Sequence, residues 1–146
     1  MTRRSRIAFV AAAIASLAAA PAAMQAQQTA STPDSSGYIS ANGVDYWFEI
    51  HGRGEPLLLL HGGLFSTGMF GPTLTKLAET RGVIGVDLHG HGRTALGARS
   101  KISLADIGRD LAVVVQKLGL RQVDVMGYSF GVAAGLQLAF HHAPLV

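Results

Sequence analysis

The chain has 146 residues, which is room for one domain of ordinary size and little else. It contains no cysteine, so disulfide bonds and zinc–thiolate sites are excluded. Its formal net charge is +3 at pH 7, and Arg3, Arg4 and Arg6 precede any acidic residue. The rest of the chain is therefore balanced in charge, and the composition gives no indication of nucleic-acid binding.

Residues 1–26 have the layout of a secretory signal peptide. A basic head is followed by an uncharged apolar run over Ile7–Ala20, and small residues then offer cleavage after Ala22 or after Ala26. The apolar run is short for a membrane span. We therefore expect export to the periplasm or the outside of a bacterial cell, with no stable membrane insertion after cleavage. An uncleaved anchor is the alternative.

A polar, turn-rich stretch follows the signal peptide. Residues 27–37 predict a flexible leader, which leaves residues 38–146 for the folded domain. The domain opens with two β-rich runs, Tyr38–Ser40 and Val44–His51. The Asn-Gly dipeptide between these runs is typical of a β-hairpin turn, so an antiparallel hairpin is expected.

The remaining sequence alternates apolar runs with segments of helical spacing. Two apolar runs, Leu57–Leu60 and Val83–Val86, predict strands buried on both faces, and Val123–Met126 shows the same character more weakly. Three segments predict helices: Phe70–Thr80, Ser103–Leu118 and Val132–His142. The alternation indicates an α/β fold, with a mostly parallel sheet, helices on both of its faces and the N-terminal antiparallel hairpin.

A serine between two glycines follows the last apolar strand, in the stretch Gly127-Tyr128-Ser129-Phe130-Gly131. A sharp strand-to-helix turn of this kind exposes the serine hydroxyl, and it needs glycines because backbone passes close to backbone. The strand predicted before it and the helix predicted after it supply the required context. Ser129 is therefore the predicted nucleophile, and the amide of Phe130 is a predicted oxyanion donor.

A second glycine-rich motif, His61-Gly62-Gly63, directly follows the strand Leu57–Leu60. In acyl transfer the negative charge moves onto the carbonyl oxygen, and two backbone N–H groups stabilise it there. Gly63 is the best candidate for the second donor, and Leu64 is the fallback. A tight strand exit with no chemical role is the alternative interpretation.

The third motif, Asp-Leu-His-Gly-His-Gly-Arg-Thr at residues 87–94, also follows an apolar strand. Asp87, His89 and His91 are residue types that bind metals, but no further ligand is evident nearby. A structural turn, in which polar side chains bond to backbone groups, is the preferred interpretation. No metal or other cofactor is expected.

In this order along the chain, the three motifs resemble the N-terminal half of an α/β-hydrolase-fold protein over residues 38–146. The resemblance implies an esterase-like acyl hydrolase that acts on a small-molecule acyl substrate. It places the nucleophile at Ser129 and the oxyanion donors at Phe130 and Gly63. Because epoxide hydrolases and dehalogenases of this fold use aspartate as nucleophile, the serine disfavours those activities. Peptidase, thioesterase, carbon–carbon-bond hydrolase and perhydrolase activities remain open.

The acid and the histidine that complete the family's triad have no match. No aspartate or glutamate follows Ser129, and His141 lies about 18 Å along the predicted helix, too far to act as its base. We therefore expect a catalytically incomplete fragment that is inactive alone. Its last strand, Val123–Met126, would form an exposed edge that promotes self-association. The alternatives are an upstream partner such as His61, and a non-catalytic binding module.

Overall fold

The computed structural model describes residues 32–146. The predicted signal peptide, residues 1–26, and residues 27–31 of the predicted leader lie outside the described residues. The described part contains five strands: β1 (Ser35–Ala41), β2 (Val44–His51), β3 (Pro56–Leu60), β4 (Gly82–Val86) and β5 (Asp124–Gly127). It also contains three α-helices: α1 (Gly71–Ala78), α2 (Leu104–Lys117) and α3 (Phe130–His141). Short 3-10 turns occupy Thr67–Phe70 and Ala143–Leu145.

The strands form one sheet in the order β1-β2-β4-β3-β5. Strand β2 is antiparallel to β1 and to β4, whereas β3 is parallel to both β4 and β5. Four of the five strands therefore run in the same direction, which confirms the predicted mostly parallel sheet with an N-terminal hairpin.

The carboxyl ends of the three parallel strands are level with one another. Leu60, the last residue of β3, pairs with Val86 at the end of β4 and with Gly127 at the end of β5. The three motifs that follow these strands therefore leave the sheet at the same edge. In open α/β sheets this is the edge at which ligands bind.

Helices cover both faces of the sheet, as the sequence predicts. Alternate side chains of a strand point to opposite faces, so Leu58 and Leu60 pack toward α2 and α3, and Leu57 and Leu59 pack toward α1. Helices α2 and α3 approach each other closely at Gly108. A methyl group on Gly108 would be 2.5 Å from Cβ of Gln137, so a larger residue does not fit there.

Several boundaries differ from those expected. Strand β1 begins at Ser35, so the last residues of the predicted leader belong to the sheet, where Ser35 pairs with Ile50. Helix α1 is shorter than predicted, because Phe70 belongs to the preceding 3-10 turn and the helix ends at Ala78. Helix α3 begins at Phe130 rather than Val132, which leaves almost no loop after β5.

A buried carboxylate connects α2 to the hairpin and to the loop after β4. Asp110 is fully buried and accepts hydrogen bonds from the Tyr46 hydroxyl at 2.7 Å and the Asn42 amide at 2.8 Å. It also forms an ion pair with Arg99. Burial, and then the hydrogen bond to Asp110, raise the pKa of the Tyr46 phenol. The loop that carries the third motif is thus anchored to the core at Arg99.

Strand β5 lies at the edge of the sheet, where it pairs with β3 alone among the described strands. Beside this edge, apolar side chains of β5 and α3 are exposed: Met126, Val132, Leu136 and Phe140. In the part of the chain that the structure describes, none of the helices has the length and apolar character needed to cross a bilayer.

Candidate active site

Ser129 lies at a sharp turn between β5 and α3. Strand β5 ends at Gly127 and α3 begins at Phe130, so only Tyr128 and Ser129 make the turn. The backbone of Ser129 has φ +50° and ψ −111°, a conformation that residues other than glycine adopt only at a cost. The side chain is exposed and makes no capping bond to α3. The turn therefore presents the serine hydroxyl at the carboxyl edge of the sheet.

The two glycines that flank this turn are required by close backbone contacts. A Cβ atom on Gly127 would be 2.6 Å from the carbonyl carbon of Gly131. A Cβ atom on Gly131 would be 2.6 Å from the carbonyl carbon of Leu60 and 2.7 Å from the carbonyl oxygen of His61. Real Cβ atoms essentially never come within 3.0 Å of a neighbour. The spacing of glycines around the serine thus follows from the packing of α3 against the end of β3.

The loop after β3 lies directly against the turn. A Cβ atom on Gly62 would be 3.6 Å from Cβ of Ser129, and one on Gly63 would be 3.8 Å from Cβ of Phe130. Within residues 32–146, neither the Gly63 amide nor the Phe130 amide donates to a backbone acceptor. The structure therefore brings Ser129, Phe130 and Gly63 together, with both amides available. Their catalytic roles stay predictions, and so does the choice of Gly63 over Leu64.

His61 connects the loop after β3 to the loop after β4. Its Nε2 accepts a hydrogen bond from the Leu88 amide at 2.9 Å, so Nδ1 carries the proton and donates to the Gly62 carbonyl at 2.7 Å. The ring is fully buried, and burial lowers its pKa, which favours the neutral form. A neutral imidazole with this tautomer holds the Gly62 carbonyl in place beside the predicted donor.

Asp87 also connects these two loops. One carboxylate oxygen accepts from the Thr67 amide at 2.7 Å, and the other accepts from the Arg93 amide at 2.9 Å. A Cβ atom on Gly92 would be 2.6 Å from Cγ of Asp87, so glycine is required there as well. This arrangement supports the structural interpretation of the third motif.

His91 contacts the turn itself, which the sequence did not predict. Its ring stacks on Phe130, with ring centroids 5.6 Å apart, and lies 5.5 Å from the ring of His61. Its Nδ1 donates to the His89 carbonyl at 2.9 Å, and Nε2 of His89 donates to the Leu96 carbonyl at 2.9 Å. Both histidines are thus engaged with backbone, and the described residues contain no cluster of three or more side chains suited to hold a metal ion.

Arg93 pairs with a further buried acid, Glu49, which lies in β2. Its guanidinium donates to Glu49 at 3.1 Å and lies 4.6 Å from the centre of the Trp47 ring. Glu49 is only 6% exposed although it lies on the polar face of the strand. The loop after β4 covers this face and so buries the acid.

These features agree with the family profile of the α/β hydrolase fold, which matches residues 55–146. The chain belongs to this family. It is 34% identical over 104 residues to a proposed carbamate hydrolase, RutD, of Azorhizobium caulinodans. The match covers 70% of the chain and 38% of that relative.

Two further comparisons show how varied the proteins of this fold are. The chain is 37% identical over 98 residues to the 30 kDa subunit of magnesium chelatase from Rhodobacter capsulatus, covering 66% of the chain and 34% of the subunit. A proposed epoxide hydrolase from Pseudomonas aeruginosa superimposes with a TM-score of 0.70 at 26% identity, covering 77% of the chain and 38% of that structure. The chain thus spans less than two-fifths of the length of these proteins.

The histidines of this α/β hydrolase chain make no hydrogen bond to Ser129 within the described residues. His61, His89 and His91 are bonded to backbone groups, as described above. His141 is the last residue of α3, and twelve residues of helix place it about 18 Å from Ser129. The structure therefore shows none of these histidines hydrogen-bonded to Ser129.

Proposed function

We propose that the chain is the nucleophile-bearing part of an exported, serine-dependent acyl hydrolase whose substrate is a small-molecule ester or a related acyl compound. The observation that carries the proposal is the strained, exposed Ser129 beside two available amides. Strain at an exposed polar residue contributes nothing to stability, so it indicates a function for the hydroxyl. The membership of the hydrolase family adds independent support.

In the proposed reaction the oxygen of Ser129 attacks the acyl carbon, and the carbonyl oxygen becomes an oxyanion. The amides of Phe130 and Gly63 donate to this oxyanion, and removing one such donor from a hydrolase typically lowers the rate about 100- to 1,000-fold. The serine proton passes to a histidine base, which returns it to the leaving alcohol as the ester bond breaks. Water then releases the acid from Ser129 by the same steps in reverse.

Because His61, His89 and His91 are bonded to backbone groups and His141 is distant, we propose that the base and its orienting acid come from sequence outside this chain. The 146-residue chain is then a catalytically incomplete fragment. Its serine keeps the oxyanion donors but has no group to accept its proton, so we expect negligible turnover from the chain alone.

A fluorophosphonate probe tests serine dependence. We expect a longer product of the same gene to carry an acid and a histidine after α3, and this product should be labelled rapidly at Ser129, as located by peptide mass spectrometry. Ser129→Ala should abolish the labelling, whereas Ser40→Ala, which replaces an exposed serine of β1, should leave it unchanged. In the 146-residue chain the labelling should be weak or absent. A folded longer protein that is not labelled at Ser129 would overturn the proposal.

A non-catalytic binding module is the second candidate, and it is considered because one relative is named as a subunit of a larger enzyme, magnesium chelatase. The two candidates differ in what Ser129→Gly should do. Glycine relieves the positive φ at this turn, so a binding module should gain stability and keep its ligand or partner. A hydrolase should lose all Ser129-dependent labelling despite the same gain in stability.

Export and signal cleavage form a separate part of the proposal. The mass of the protein recovered from the bacterial periplasm or medium should correspond to a new N-terminus after Ala22 or after Ala26. Recovery of the uncleaved chain from the membrane fraction would support the anchor instead.

A further inference from the structure

Leu64 combines two unfavourable features beside the predicted oxyanion donor. Its backbone has φ +66°, a region that bulky residues rarely adopt. Its side chain is 96% exposed, so the leucine gains nothing from burial within the described residues. Neither feature stabilises the described part of the chain, and glycine or asparagine would avoid both the exposed apolar surface and the backbone strain. The contacts within residues 32–146 therefore do not explain a leucine in this place.

Further apolar groups accompany Leu64 at the same edge of the sheet. Phe65 is 53% exposed and Tyr128, in the turn before Ser129, is 55% exposed. A cavity of about 690 Å³ opens here, within the range of about 300–1,000 Å³ that is common for small-molecule sites. Its lining residues come from the loop after β3 and from the third motif: Leu64, Phe65, Ser66, Gly68, Met69 and Gly92.

The cavity adjoins the predicted active site on both sides. Leu64 directly follows Gly63, which contacts Phe130, so its Cα atom is about 3.8 Å from that of Gly63. Gly92 directly follows His91, whose ring stacks on Phe130. Each of the two loops that line the cavity thus continues from a residue beside Phe130, although Gly63, Phe130 and Ser129 are not themselves among the lining residues.

The lining of the cavity is neutral. Among the described residues, no ionisable side chain contributes to it, and the one side-chain hydroxyl in the lining belongs to Ser66. The nearby charges are directed elsewhere, because Asp87 is buried against backbone amides and Arg93 is paired with Glu49. A carboxylate or ammonium group in this cavity would lose hydration without gaining a partner.

We propose that this cavity binds the neutral apolar group of the substrate, so that the enzyme favours esters with a medium-length alkyl or aryl group over small polar or charged substrates. As a substrate preference, this inference rests on the proposed hydrolase function. The binding of an apolar group, however, does not require a reactive serine, so the two can be tested apart.

The test uses a homologous series of neutral methyl ketones, from butanone to decanone, titrated into the 146-residue chain and followed by NMR of the leucine methyl groups. Each added methylene should tighten binding by up to about fourfold until the cavity is filled. Leu64→Asn introduces a residue that tolerates a positive φ and removes the apolar side chain from the cavity lining. It should weaken octanone binding at least fivefold, leave butanone binding unchanged and leave the unfolding midpoint unchanged or raised.

Leu96→Asn is the matched control, because Leu96 is another exposed loop leucine that does not line the cavity. The Leu96→Asn variant should bind every ketone with the same affinity as the unmodified chain. Equal affinity along the series, equal effects of the two substitutions, or tighter binding of hexanoate than of hexanone would each overturn the inference. Ketone binding that follows the prediction in a longer product whose Ser129 is not labelled would overturn the proposed hydrolase function and leave the apolar site in place.

Discussion

Two glycines on the same helix allow the packing of the serine turn to be tested by one substitution. Gly131 and Gly135 are both buried in α3 and lie one helical turn apart. A methyl group on Gly131 would meet the backbone carbonyls of Leu60 and His61. A methyl group on Gly135 would be 2.9 Å from a terminal methyl of Val125. Backbone at the end of a central strand cannot move aside, whereas a valine methyl can.

The expected energies differ accordingly. Replacing glycine by alanine in a helix contributes about 0.5–1 kcal/mol of stability through backbone entropy. Overpacking a core costs about 1–3 kcal/mol, and more where backbone has to shift. For Gly131→Ala the contact must widen by several tenths of an ångström, so we expect a net loss of about 3 kcal/mol or more. For Gly135→Ala the two effects nearly cancel, and we expect a change within about 1 kcal/mol.

Denaturant unfolding measures both variants against the unmodified chain. Far-ultraviolet circular dichroism reports the helices, and fluorescence of the single tryptophan, Trp47, reports the sheet. A loss of about 3 kcal/mol is a large part of the 5–15 kcal/mol that holds a typical domain folded. Equal unfolding midpoints for Gly131→Ala and Gly135→Ala would refute the reasoning, because the close backbone contact at the start of α3 would then not affect the free energy of unfolding.

Three further predictions concern the buried polar groups and the exposed edge. Burial raises the pKa of Tyr46, so the folded chain keeps a proton that the unfolded chain loses above about pH 10. Stability should therefore fall above that pH, and Tyr46→Phe should remove this dependence while costing about 1.5–3 kcal/mol at neutral pH for the lost bond to Asp110. Burial lowers the pKa of His61, so the unfolded chain gains a proton below about pH 6.5 that the folded chain does not. Stability should fall as the pH falls below that value, less steeply in His61→Gln, and equal slopes in unfolding titrations would contradict this. Self-association through β5 and α3 should appear in light scattering at rising concentration and decrease in Phe140→Lys, and a monodisperse unmodified chain would count against it.

The parts of the fold that the sequence predicts are those set by local patterns. The runs Leu57–Leu60 and Val83–Val86 are apolar at every position but one. Such continuous apolar runs are typical of strands that are covered on both faces. Once these strands are parallel, the residues that follow them necessarily meet at one edge. For this reason the sequence alone is enough to predict that three motifs far apart in the chain lie together around Ser129.

The buried polar contacts cannot be predicted in this way, because each joins residues far apart in the chain. Asp110 bonds to Tyr46 across 64 positions and to Asn42 across 68. One signal is present, since Asp110 lies on the apolar stripe of α2 between Ile107 and Leu111. An acid on a buried helix face indicates a partner, but nothing in the pattern says which residue the partner is.

Backbone strain in this chain is concentrated near the proposed active site. Among the described residues, three other than glycine have a positive φ: Asn42, Leu64 and Ser129. Asn42 occupies the hairpin turn, where asparagine adopts this conformation at little cost. The other two lie on neighbouring loops at the carboxyl edge, where glycine would relieve both. Their conformations do not stabilise the described residues, which agrees with the proposed roles of the Ser129 hydroxyl and the Leu64 side chain in contacting a ligand.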